Sequence, residues 1–108
     1  MNFTDYQMKS DLTAVYPEDK ALEYLCLGLA SEAGEVAGKL KKIIRDSNSS
    51  ITEDAKFALV GELGDVLWYI SQIALELNVP LDVVAHENIA KLKDRQDRGK
   101  ISGSGDSR

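Results

Sequence analysis

Spacing is the feature that most constrains this chain. Leu22, Leu25, Leu29, Ala33, Val36, Leu40 and Ile43 follow one another at intervals of three or four, and so do Leu59, Leu63, Val66, Ile70, Ile73 and Leu77. Such intervals gather each set on one face of an α-helix, whereas the alternation that a strand would need is scarce. The first set predicts a long helix from about Asp19 to Arg45, closed by the turn formers DSNSS at 46–50. The second predicts a helix N-capped by Thr52, with Glu53 and Asp54 at the positive end of its dipole, and broken at Asn78-Val79-Pro80. A shorter helix is expected over Thr4 to about Ala14, ending before Tyr16-Pro17, and another from Pro80 or Leu81 to about Arg98. The expected fold is all-α, a four-helix bundle-like single domain over residues 1–98 with two long helices and two shorter ones. The glycine-rich segment 99–108, GKISGSGDSR, reads as a tail.

Both long helices carry an unusual device. SEAGEV at 31–36 and GELGDV at 61–66 each hold two carboxylates three residues apart, Glu32 with Glu35 and Glu62 with Asp65. At about 100° per residue, Glu32 and Glu62 each fall roughly 60° from the centre of their apolar stripe, with Glu35 and Asp65 further out. On two antiparallel helices the four acids would converge at one rim. Converging carboxylates raise one another's pKa unless a cation sits among them. Hard divalent ions take oxygen ligands, and Mg²⁺ shares its coordination with waters and substrate phosphates. The pattern therefore points to metal-assisted chemistry on a phosphate ester or anhydride. Gly34 and Gly64, inside the two pairs, suggest a close backbone approach there.

Composition narrows the alternatives. The chain has 108 residues and a net charge of −5, so a nucleic-acid polymer is not an expected partner. Its single cysteine, Cys26, excludes an internal disulfide and a cysteine-based metal site, and reads as a small buried hydrophobe. The only histidine, His86, lacks the Glu-x-x-His spacing of di-iron bundles and reads as a surface or packing residue. No signal-peptide pattern and no apolar run of membrane-spanning length is evident, so no membrane partner and a cytoplasmic location are expected.

The acid motifs SEAGEV and GELGDVLWYI, together with NIAKLKDR at 88–95, the opening FTDYQ and the tail RGKISGSGDSR at 98–108, resemble the MazG-like superfamily of all-α nucleoside triphosphate pyrophosphohydrolases. The resemblance spans nearly the whole chain and is to the short, single-domain form, including phage-encoded members. It implies hydrolysis of a nucleoside triphosphate to monophosphate and pyrophosphate with Mg²⁺, for which Mn²⁺ substitutes. It makes Glu32, Glu35, Glu62 and Asp65 the metal ligands. Glu35 and Glu62 are the candidates to orient or deprotonate a water attacking the α-phosphorus.

For the substrate, Lys39 lies two helical turns past Glu32 on the same face, and Tyr69 lies one turn past Asp65, where it could stack on a base or bond a sugar. Asn88, Lys91 and Arg95 repeat at helical spacing on the fourth helix, and the resemblance implies nucleotide contact there, with Lys91 a phosphate ligand. Gln7 is a further base-contact candidate, Arg108 could close over the phosphates, and Trp68 reads as a packing or interface residue. Leu27, Val60, Leu67, Trp68 and Leu75 lie off the main stripes and call for a partner, and the resemblance implies a homodimer or a dimer-of-dimers tetramer. Deoxynucleotides are favoured as substrates because phage members serve DNA synthesis. The competing readings are a phosphoribosyl-ATP pyrophosphohydrolase and a non-catalytic adaptor with an acidic rim.

Overall fold

A computed structural model describes residues 1–108 as four helices, α1 (Phe3–Asp11), α2 (Ala21–Ser47), α3 (Glu53–Glu76) and α4 (Leu81–Asp97), with no strand. Asn2 caps α1 by accepting the Asp5 amide at 2.8 Å. This helix stops at Asp11, short of the expected Ala14, where the Thr13 hydroxyl donates to the Ser10 carbonyl and competes with helical bonding. A single 3-10 turn, Glu18–Lys20, leads into α2. Asn48 and Ser49 take positive φ and bond back to the Ile43 carbonyl, which ends α2 within the expected DSNSS stop. Thr52 caps α3 as its sequence suggests, accepting the Ala55 amide at 3.1 Å.

The helices α2 and α3 form an antiparallel hairpin. Gly28 faces Tyr69 while Lys39 reaches back to Glu62, so the partner on α3 recedes as α2 advances. α1 packs on α3 and α4, and α4 packs on α3 but does not reach α2. The far half of the hairpin therefore has nothing across it, and the Cα radius of gyration is 16.7 Å, against about 13 Å for a compact domain of this length.

Only ten residues are buried, and five of these, Gln7, Ser10, Ser71, Gln72 and Arg95, are polar or charged. The apolar stripes are only partly covered: Leu25 is fully buried and Ile43 nearly so, but Leu40, Leu63 and Leu77 are exposed. Leu27, Val60 and Leu75 are exposed as expected, whereas Leu67 and Trp68 are half-buried.

One expectation about burial is corrected. Cys26 is exposed rather than buried, because it lies on the side of α2 that turns away from α3. By length and mean hydropathy, α3 is long and apolar enough to cross a membrane, although Glu62 and Asp65 interrupt its apolar runs. It packs against α1, α2 and α4 in this fold. His86 stands on the surface with Nε2 3.2 Å from Asp82, one turn earlier on α4.

Candidate active site

The hairpin brings together three of the four expected carboxylates. Ligand oxygens of Glu32, Glu62 and Asp65 all lie within 4.8 Å of one another. Glu35, one turn beyond Glu32 on α2, is exposed and outside this group, yet close enough for its charge to be felt at Glu32. The Glu32 carboxyl is pushed above the usual carboxylate range, first by partial burial and then by the charges of Asp65, Glu62 and Glu35. A carboxylate raised by its neighbours' charge is what a divalent cation would relieve, and an all-oxygen donor set suits a hard ion. Lys39 supplies some of that relief now, with its ammonium 3.2 Å from Glu62.

An aromatic wall borders the acids. Glu32, Asp65, Thr13, Trp68 and Tyr69 line one shallow recess. Tyr69 meets Trp68 edge-on, with ring centroids 5.0 Å apart, and Trp68 meets Tyr16 in the same manner. The Trp68 indole N–H donates to the Thr13 hydroxyl at 2.8 Å, so it packs the linker after α1 against α3. Burial raises the Tyr69 phenol pKa, assisted by Tyr24 and by the charges of Glu32 and Asp65, which keeps its hydroxyl protonated. Tyr6 of α1 also feels Asp65. The close backbone approach expected at Gly34 and Gly64 is found elsewhere: a Cβ at either would meet nothing within 4 Å, whereas one at Gly28 would overlap the Tyr69 ring.

Gln7 is placed differently from a base contact. It is 6 % exposed, and its amide donates to the Val79 carbonyl at 3.1 Å and accepts the Leu81 amide at 3.0 Å. Both ends are used in tying α1 to the turn between α3 and α4. The signal that could have shown this was a polar residue on the inward face of a short helix facing a proline turn.

Asn88 and Lys91 line a separate recess with Val79, Val83, Val84 and Glu87. Lys91 donates to the Asp106 carboxylate at 2.8 Å. Arg95 is 6 % exposed, and its Nη2 donates to both the carbonyl and the carboxylate of Asp106. Arg108 is turned back on its own segment, donating to the carbonyls of Gly105 and Ile101. The tail is thus held on α4 through Asp106, a contact that its glycine-rich sequence did not suggest.

The model of the MazG nucleotide pyrophosphohydrolase domain matches residues 20–99, from the approach to α2 through the end of α4. The chain is also 45 % identical, over its full length and the full length of the relative, to the Gene 37 protein of Mycobacterium phage L5. No solved structure matches it significantly. The matched span takes in the acid-bearing hairpin and the Lys91 face of α4, and the chain belongs to the MazG nucleotide pyrophosphohydrolase domain family, whose activity is nucleotide pyrophosphohydrolysis.

Proposed function

We propose that the protein is a Mg²⁺-dependent hydrolase of nucleoside triphosphates, deoxynucleotides before ribonucleotides, releasing the monophosphate and pyrophosphate. The observation that carries this reading is the convergence of Glu32, Glu62 and Asp65 within 4.8 Å on a MazG-family hairpin. These three carboxylates would hold the divalent ion, with Mn²⁺ able to replace Mg²⁺. When bound, the ion supplies neutralisation of phosphate oxygens and lowers the pKa of a coordinated water.

The chain's own side chains do the rest. Glu35 is exposed beside the three acids and is free to orient or deprotonate the attacking water, a role that Glu62 is less able to take while it pairs with Lys39. Lys39 would pass from Glu62 to a phosphate oxygen when substrate arrives. Tyr69 and the aromatic wall offer a face for the base, or a hydroxyl for the sugar. Asn88 and Lys91 hold the remaining phosphates, and Arg95, buried against Asp106, supports them from behind. Gln7, with both ends of its amide engaged, is left out of this set.

A second copy of the chain would cover the bare half of the hairpin, where Leu40, Phe57, Val60 and Leu63 are exposed. We therefore expect a homodimer or a pair of dimers, acting in the cytoplasm on the nucleotide pool. Sedimentation measures the assembly.

The deciding experiment is a panel of NTPs, dNTPs and phosphoribosyl-ATP with pyrophosphate detection, with and without Mg²⁺ or Mn²⁺. Mg²⁺-dependent pyrophosphate release, fastest from dNTPs, is expected. Fastest release from phosphoribosyl-ATP would redirect the substrate, and no release from any would overturn the catalytic reading in favour of an adaptor. Glu62→Gln and Asp65→Asn should each lower kcat by about 10²-fold or more with an intact helical CD spectrum.

A further inference from the structure

We propose that Asp106 is a positioning residue of the nucleotide site, holding Lys91 and Arg95 in place and making segment 99–108 a folded part of that site. The inference rests on the reading of Lys91 as a phosphate contact.

Lys91 and Arg95 are four residues apart on α4 and share one face. Two cations so placed repel each other, and a lysine by itself has many rotamers to lose on ordering. Asp106 answers both problems, with its carboxylate 2.8 Å from the Lys91 ammonium and 3.1 Å from the Arg95 guanidinium. The pairing is strong enough to hold the Asp106 carboxyl below its usual range, chiefly through the hydrogen bonds from Lys91 and Arg95. Arg95 is buried in this arrangement, and a buried guanidinium needs an anion or carbonyl against it. The Lys91 ammonium still has further N–H groups beyond the one given to Asp106, and its side chain remains 43 % exposed beside Asn88.

The segment's path is built to deliver that carboxylate. Gly99, Gly103 and Gly105 take positive φ, a conformation that glycine adopts without a Cβ penalty. Arg108 closes the loop by donating to the Ile101 and Gly105 carbonyls, with its side chain packed against Gly103. Arg98 adds a bond to the Arg108 carbonyl oxygen at 2.7 Å. An acid in this place has two conceivable roles with opposite consequences. It either arranges the cations for phosphate or competes with phosphate for them.

Asp106→Asn separates the two. Positioning requires KM for the preferred nucleotide to rise about tenfold, with a smaller change in kcat and an unchanged Mg²⁺-induced thermal shift. Asp106→Glu should restore most of the KM. An unchanged or lowered KM in Asp106→Asn would overturn the proposal, the lowered value identifying a competing anion. Hydrogen exchange of the residue 101–107 amides, read without nucleotide, should accelerate in Asp106→Asn. Unaltered exchange would also overturn the proposal, whatever the turnover assay gives. Lys91→Ala tests the underlying reading separately: if it leaves KM unchanged, Lys91 is not a phosphate contact, even where the exchange result stands.

Discussion

The ring of Tyr69 on α3 occupies the space beside Gly28 on α2 that any side chain at position 28 would need. The two residues set how closely the helices approach beside the acids, and they fix the ring against Trp68 at the edge of the recess. Gly28→Ala would gain about 1 kcal/mol of helix propensity but force a shift of the ring, and overpacking costs about 1–3 kcal/mol. A net loss of up to about 2 kcal/mol is expected, read as a lower urea midpoint, together with a higher KM. Gly34→Ala is the control. Nothing lies within 4 Å of its Cβ position, so it should stabilise by about 1 kcal/mol.

Stability without metal should fall as pH rises through the weakly acidic range. Glu32 keeps its proton in the folded chain above the ordinary 4.5 at which it is lost from an unfolded one. The folded state therefore binds more protons there, and stability declines from about that pH up through the raised value. Mg²⁺ should remove the slope by favouring the ionised form. Melting temperature against pH, in EDTA and in Mg²⁺, shows the two curves diverging; Glu32→Gln should flatten this contribution in EDTA.

Lys39 and a metal ion share one partner, Glu62, so the lysine weakens ion binding while it helps to hold substrate. Lys39→Met should tighten Mg²⁺ binding several-fold and raise KM for nucleotide. The Lys39–Glu62 pair is half-exposed, and its loss should cost less than about 1 kcal/mol of fold stability. Mg²⁺ titration by thermal shift and steady-state kinetics test the two opposite movements.

Gln7→Leu should destabilise by about 2–3 kcal/mol, since it leaves the Leu81 amide and the Val79 carbonyl without their partner inside the fold. KM should not change. Chemical denaturation and kinetics on the same preparation separate this structural role from contact with a base.

Much of the fold was legible because its boundaries are chemical. Thr52 caps a helix wherever its hydroxyl can reach an amide three residues on, and Pro80 cannot continue one. The acid pairs were legible because a three-residue interval places them together on any helix. Glu35 fell outside the group because it lies further round α2 from the apolar stripe than Glu32 and stays exposed, whereas Asp65 on α3 still reaches Glu32. The contact between Gly28 and Tyr69 could not be read from either helix, since it depends on how the two align. Cys26 and the exposed half of the hairpin were misjudged or only partly foreseen for a related reason: periodicity says which face is apolar, not whether α4 extends far enough to cover it. Asp106 was hidden by its glycine-rich surroundings, whose bends bring the acid to α4.

The seat of α1 has a further consequence. It is held by hydroxyls and amides, with Ser10 on Ser71 and Gln7 on the α3–α4 turn, while Met8 and Leu12 face solvent. Contacts of that kind are directional and short in range, so the helix cannot slide by degrees; it is docked or it is off. Because Tyr6 stands near Asp65, and Thr13 joins Glu32 in the recess, every such undocking takes away one wall of a site whose acids already meet solvent. The breathing rate of the first nine-residue helix thereby sets how long that wall stays assembled.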